Sequence, residues 1–384
     1  MRKLLLVLGL FLISSCAQLD APSIKIASTP VPGNTTQTPS MDAVEIDQAG
    51  HRLYAADRSN QGVDVFDVSA GSATYLTTIA MPAGPNGLAL APDLSRLFVG
   101  VENGSVVLVD INANSPKFNQ VIRDVKTGAK SADLLDYSAD RHLVYVSNGV
   151  EGTITSLDSG TGEVKAQFKI GLALEQPRFN SADGMLYVTS PDADALYRLD
   201  PNDGTVKKKQ TLGGCQPMGF AINAKSNHAL IACRNSIISY DLRRDTLERF
   251  PQQPGGDIVG YDAKVDRFFI GAPHKPGQGA VAIFGGTPIA YITTVVTGAG
   301  GKSAAYDEAS EMVYTPDTRP NKAGLASFKM PAGGPGQMPA LSTLLPFGAM
   351  LAVIVFFFVV VGRNADPIRR PEPVSSRVRH NRVT

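Results

Sequence analysis

Asp42, Asn86, Asp133, Glu175 and Asp257 form a series along the chain, completed by Met218 and Lys302, with successive members about 39 to 47 residues apart. Four carboxylates and an amide, brought around one opening, would suit a hard cation such as Ca²⁺, which takes oxygen ligands. Lys302 could instead pair with a neighbouring carboxylate, and a solvated opening suits polar residues in any case. A second polar set comprises Asp57-Arg58, Glu102-Asn103, Asn148, Asp192, Arg234-Asn235, His274-Lys275 and Asp317 with Arg319. Its mixed signs and amides suit recognition of a protein or glycan more than of one small anion, and charges at a rim steer and specify. Cys215 and Cys233 are either a disulfide pair or two free buried thiols. The chain has no phosphate-cradling glycine loop, no His-x-x-x-His pair and no Cys-x-x-Cys, so no catalytic residue is assigned. His51, His142 and His228 fall in turns, and His274 in a longer loop.

The elements that must position these groups repeat with the same period. A buried second strand carries Leu53-Tyr54, Leu97-Phe98, Val144-Tyr145, Leu186-Tyr187, Ala229-Leu230, Phe268-Phe269 and Val313-Tyr314. That spacing is the one expected of a four-stranded propeller blade. In the first five repeats the third strand ends at Asp67, Asp110, Asp158, Asp200 or Asp241, where a carboxylate can accept backbone N–H bonds in the following turn. Fourth, outer strands follow in six repeats, the one near Leu247 to Phe250 being weak. The seventh repeat runs into Pro331-Ala332-Gly333-Gly334-Pro335, which cannot be a strand. Residues 23–28 alternate as an outer strand should and have no other role, so they are expected to complete the seventh blade and close the ring. The fold class is all-β: a seven-bladed β-propeller closed by an N-terminal strand, with one C-terminal transmembrane helix.

Tyr145-Val146-Ser147-Asn148 and Tyr187-Val188-Thr189-Ser190, with the Pro85 to Asp93 motif that precedes a second strand, resemble the YVTN family of β-propellers. The resemblance spans about residues 40 to 330. It implies inner strands that line a central channel, with the Asp42 series converging at one mouth and the second polar set on the same face. Function is not implied by it, because such propellers serve as binding platforms, surface proteins and enzyme subunits alike.

Both ends of the chain point to a membrane. Residues 1–15 read as a secretory signal: Arg2 and Lys3, then an apolar run from Leu4 to Ile13 too short to span a bilayer. Ile13-Ser14-Ser15-Cys16 resembles a bacterial lipobox, with Cys16 as the lipidation site; the alternative is an ordinary signal peptide with an incidental cysteine. Residues 16–40 would then be a lipid-anchored tether containing the ring-closing strand, residues 41–330 the propeller and residues 331–340 a linker. Residues 341–361 carry no charge and would cover roughly 30 Å as a helix, one hydrocarbon core. The tail, residues 362–384, is basic and belongs on the cytoplasmic side, leaving the propeller outside. A lipobox followed by Ala17 directs a Gram-negative lipoprotein to the outer membrane, whereas the helix holds it in the inner one. The two anchors agree only without an outer membrane, or one of them is not used.

Lys and Arg number 36 against 35 Asp and Glu, so no global field points to nucleic acid. These features lead to the expectation of a membrane-anchored, extracytoplasmic binding or scaffolding module for a protein or cell-envelope partner on the loop face, with no cofactor beyond a possible Ca²⁺. The alternative is a metal- or cofactor-dependent propeller enzyme, a lyase, lactonase or redox subunit, with its site at the channel mouth.

Overall fold

The computed structural model describes residues 24–332, except residues 172, 251–254 and 276–277, with backbone alone at 273–275. The signal segment, Cys16, residues 341–361 and the basic tail lie outside the described residues. Among the described residues no helix is long and apolar enough to cross a membrane.

Seven four-stranded antiparallel sheets follow one another around a ring, each running in chain order from an inner to an outer strand in the first six blades. The inner strands are Met41–Asp47, Pro85–Ala91, Leu135–Ser138, Pro177–Asn180, Pro217–Asn223, Val259–Asp262 and Ala305–Asp307. Second strands are buried on both faces, because each blade is covered by the one before and the one after it. Their alternation is therefore lost, and Arg96–Val101 or Leu143–Asn148 read as nearly continuous apolar or small runs. Tyr54, Phe98, Tyr145, Leu230 and Tyr314 are all fully buried there. Outer strands meet solvent on one side and keep the alternation, as Val206–Thr211 does after its first residue. The fifth blade is complete: its outer strand, Thr246–Phe250, pairs along its whole length with Ile237–Asp241.

The repeated aspartates build turns. Asp67 accepts the Ser69 N–H at 2.9 Å, Asp110 that of Asn112 at 2.9 Å, and Asp158 that of Thr161 at 2.7 Å. Asp200 and Asp241 do the same for Asn202 and Arg243. Each satisfies a backbone donor that would otherwise be orphaned at a strand end.

The seventh blade takes its outer strand from the N-terminal segment, but later in the chain than alternation suggests. The strand is Ala27–Pro30, antiparallel to Gly324–Lys329 with Ala27 opposite Ser327 and Pro30 opposite Gly324. Residues 24–26 precede it, and only Ala27 and Ser28 are shared with the expected segment, residues 23–28. A specific clasp fixes this register. Ser28 Oγ donates to the buried Asp317 carboxylate at 2.9 Å, and Arg319 binds both partners. Pro30 is tolerated because an outermost strand has no further neighbour to receive its missing N–H. The chain then laces back over the seventh blade, with Val31 N–H bonded to Ala323 O at 2.7 Å and Gln37 to Asn321 at 2.7 Å.

Cys215 and Cys233 are joined in a disulfide, with Cα atoms 4.9 Å apart. The register shift between Pro217 and Phe220 admits this pairing, which simple counting from the turn does not show. The bridge fastens the start of the fifth inner strand to the end of its second strand.

Candidate functional site

The mouth of the channel collects the residues of the first series. Asp42, Asp133, Glu175, Met218, Asp257 and Lys302 surround an opening of about 170 Å³, together with Arg58. Asn86 is buried beside it, giving its amide N–H to Ala132 O at 3.0 Å and accepting Arg58 Nε–H at 2.7 Å. Convergence depends on close approach between blades. A Cβ on Gly100 would lie 2.2 Å from Asp133 O, and one on Gly271 would lie 2.2 Å from the Lys302 carbonyl carbon. Glycine at these two positions lets the next blade's mouth residue come in. Cross-blade bonds then fix the ring: Gly219 N–H to Asp257 O at 3.0 Å, Ile258 N–H to Lys302 O at 2.9 Å, and Ser303 Oγ to Asp42 O at 2.5 Å.

The charges at this mouth are unevenly paired. Asp42 is buried and bonded to the Arg58 guanidinium, and Lys302 Nζ stands 3.7 Å from it and 3.6 Å from Asp257. Arg58 also lies 3.9 Å from Glu102 on the rim. Asp133 and Glu175 face the opening with no hydrogen-bond donor from any described residue. Burial, reinforced by the neighbouring carboxylates, pushes Asp133 up to about 7 and Glu175 up to about 8. Asp257 rises for the same reasons to about 6, held lower by Lys302. Lys302 is shifted the other way from a buried amine, because Asp42 favours its charged form.

This arrangement does not match a calcium cage. The guanidinium and ammonium already occupy the space beside Asp42 and Asp257. Among the described residues no group of three His, Cys, Asp or Glu side chains is placed to hold a metal ion. Among these residues the mouth also lacks a Ser, Thr or Cys nucleophile set beside a base. What it can do is accept a cation or hydrogen-bond donor on two carboxyl groups whose charge is costly while they stand alone.

The second polar set behaves differently from its sequence reading. Asp57 and Asn148 are buried turn and strand-end residues, bonded to Ser59 and Asn60 and to Thr153 and Thr155. Asn103 caps its own turn at Ser105, and Asp317 belongs to the ring-closing clasp. Arg234 and Asn235 are exposed, and the side chains of His274 and Lys275 lie outside the described set. Among the described residues of this set, Arg58 lines the mouth, and Glu102 stands outside it, 3.9 Å from Arg58.

Deeper in the channel lies a larger cavity, of about 310 Å³, that contains Glu45, Asp136 and Arg178. Sequence reasoning missed these three. Each follows a mouth residue by three positions, after Asp42, Asp133 and Glu175, and that recurring offset was the available signal. A strict period of two turns every third residue away. In the first blade the irregularity between Met41 and Val44 resets the phase and lets both carboxylates face inward.

Comparison with known proteins agrees with this architecture. Residues 53–178 match the family model described as lactonase, seven-bladed β-propeller. A solved structure entitled Kuenenia stuttgartiensis hydrazine synthase aligns with a TM-score of 0.64 over 77% of this chain and 98% of that chain, at 15% identity. At that identity the likeness concerns the fold alone. No curated protein matches the chain.

Proposed function

We propose that this chain is a membrane-anchored, extracytoplasmic binding or scaffolding module, and that its channel mouth seats a cationic group of a protein or cell-envelope partner. One observation carries the reading: Asp133 and Glu175 stand at an opening with no described hydrogen-bond donor, beside an Arg58–Asp42–Lys302–Asp257 network in which two cations already meet two carboxylates. A lysine or arginine side chain inserted from a partner would restore the ionised form of both carboxyls and gain charge-assisted hydrogen bonds. At about 170 Å³ the mouth is large enough for one side chain and too small to enclose a drug-sized molecule. The membrane part of the proposal draws on the apolar run of residues 341–361, the basic tail and the signal-like first fifteen residues.

A second reading, a metal- or cofactor-dependent enzyme working at the same mouth, is favoured by the family-model match over residues 53–178. Metal analysis of the full-length protein purified in detergent separates the two. The binding reading expects sub-stoichiometric metal and a melting curve unchanged by added calcium. One bound metal per chain, lost in the Asp133→Asn/Glu175→Gln variant, would establish the second reading instead.

A further inference from the structure

The inner cavity differs from the mouth in shape, wall chemistry and charge. Ile258 lines both spaces, and below it Ala221, Gly260 and Ala305 occupy the positions three residues after the mouth series. Their small size leaves the room. The wall is partly apolar, with Ile46, Ile222 and Phe269, and carries the rings of Tyr261 and Tyr306.

The cavity is short of positive charge. Among the described residues Arg178 is its one lining cation, and it is engaged: it donates to Asp136 at 3.0 Å, to Leu135 O at 3.3 Å and to Val259 O at 3.5 Å. Asp136 is further satisfied by the Phe179 N–H at 2.7 Å. Asp262, at the edge, caps its own turn through the N–H groups of Lys264 and Val265. Glu45 alone is left over. It lines the cavity, and its carboxylate accepts no hydrogen bond from any described residue. Desolvation dominates its environment and raises it to about 7, against the pull of Arg178. The residue is half-buried and open to the cavity, so whatever occupies that space must solvate its charge.

We propose that this inner cavity is a second binding site, taking a small organic ammonium ion whose nitrogen pairs with Glu45 and whose carbon chain lies along the apolar wall. The chemistry of the lining selects that class. A metal ion needs several carboxylate or imidazole ligands at once, and no such group is gathered among the described residues. An ammonium needs only one strong acceptor, which Glu45 supplies. An anion would meet Glu45, Asp136 and Asp262 against one committed guanidinium.

The site stands apart from the mouth, and its test is arranged so that either can fail alone. n-Butylamine at neutral pH, with 1-butanol as its uncharged counterpart, is titrated into the full-length protein by calorimetry. Saturable binding of the amine is expected, at least about tenfold tighter than the alcohol, with Glu45→Gln losing about tenfold or more. Ala305→Leu, which fills the cavity without touching its charges, should abolish binding, while Asp133→Asn/Glu175→Gln should leave it unchanged. Melting curves of each variant verify folding. Equal binding of amine and alcohol, amine binding that survives both Glu45→Gln and Ala305→Leu, or no amine binding by the folded wild-type protein overturns the proposal.

Discussion

The Asp133→Asn/Glu175→Gln variant is expected to be more stable than the wild-type protein at pH 8, by about 2 to 4 kcal/mol, and equally stable near pH 4. Both carboxyls sit well above their ordinary values in the folded state, at about 7 and about 8, because burial and neighbouring carboxylates penalise their charge. In the unfolded chain they ionise near pH 4. Between these limits the folded state holds more protons than the unfolded one, so stability falls as pH rises. The loss is complete once pH has passed the folded values. The neutral amides mimic the protonated forms and remove that slope. The magnitude is taken below the full shift, since both side chains face an opening where solvent screens part of the cost. Glu45, Asp64 and Asp257 are shifted in the same direction and remain in both proteins, so the difference between the two curves isolates the mouth. Denaturant titrations from pH 4 to pH 8.5 measure it; two parallel curves would show that Asp133 and Glu175 carry no such strain. Stability surrendered at a surface opening is what a binding site costs when its partner is absent.

A second large effect is expected at the ring closure. Asp317→Ala should destabilise the propeller by about 2 to 4 kcal/mol and expose the segment before Met41 to proteases. The Asp317 side chain is fully buried and accepts bonds from Ser28 and Arg319, the two groups that fix the outer strand of the seventh blade. Without it, Ser28 loses its partner and Ala27–Pro30 is held by four register positions at an edge. Releasing that strand uncovers Gly324–Lys329, a buried strand whose free edge invites pairing with other chains. Arg319→Ala is the comparison. Its side chain is 42% exposed, but its loss leaves the fully buried Asp317 carboxylate without its cation, so this substitution should also destabilise the propeller, by about 2 to 4 kcal/mol. Thermal melting and limited proteolysis read both, and an Asp317→Ala protein that melts like the wild type with the segment before Met41 still protected would remove Asp317 from the closing role.

The period of the second strands was legible because those strands are buried on both sides and repeat an aromatic at one position. Aspartates at the third-strand ends were equally plain, as their role is local and confined to the turn that follows. The closing strand was harder. Residues 23–28 alternate well, but register is decided by the Ser28–Asp317–Arg319 clasp, which joins Ser28 to a residue 289 positions along the chain. At the mouth, the inner-strand starts could be aligned by counting, which brought Asp42, Asn86, Asp133, Glu175 and Asp257 to one place. Counting could not show that Arg58 leaves its own loop to bind Asp42 and Asn86, since that depends on side-chain reach between blades. Glu45 was hidden by the register shift in the first blade, and Asp136 and Arg178 follow mouth residues that lie before the start of their own inner strands, so strand alternation does not connect them.

The most direct measurement is photo-crosslinking in intact cells from a reactive residue placed at Met218, which lines the mouth without charge. A binding module predicts one discrete crosslinked partner, with a lysine or arginine at the attachment segment, and loss of that product in the Asp133→Asn/Glu175→Gln background. Crosslinks that persist unchanged in that background, or a mouth that yields none while the purified protein turns over a small molecule there, would contradict it.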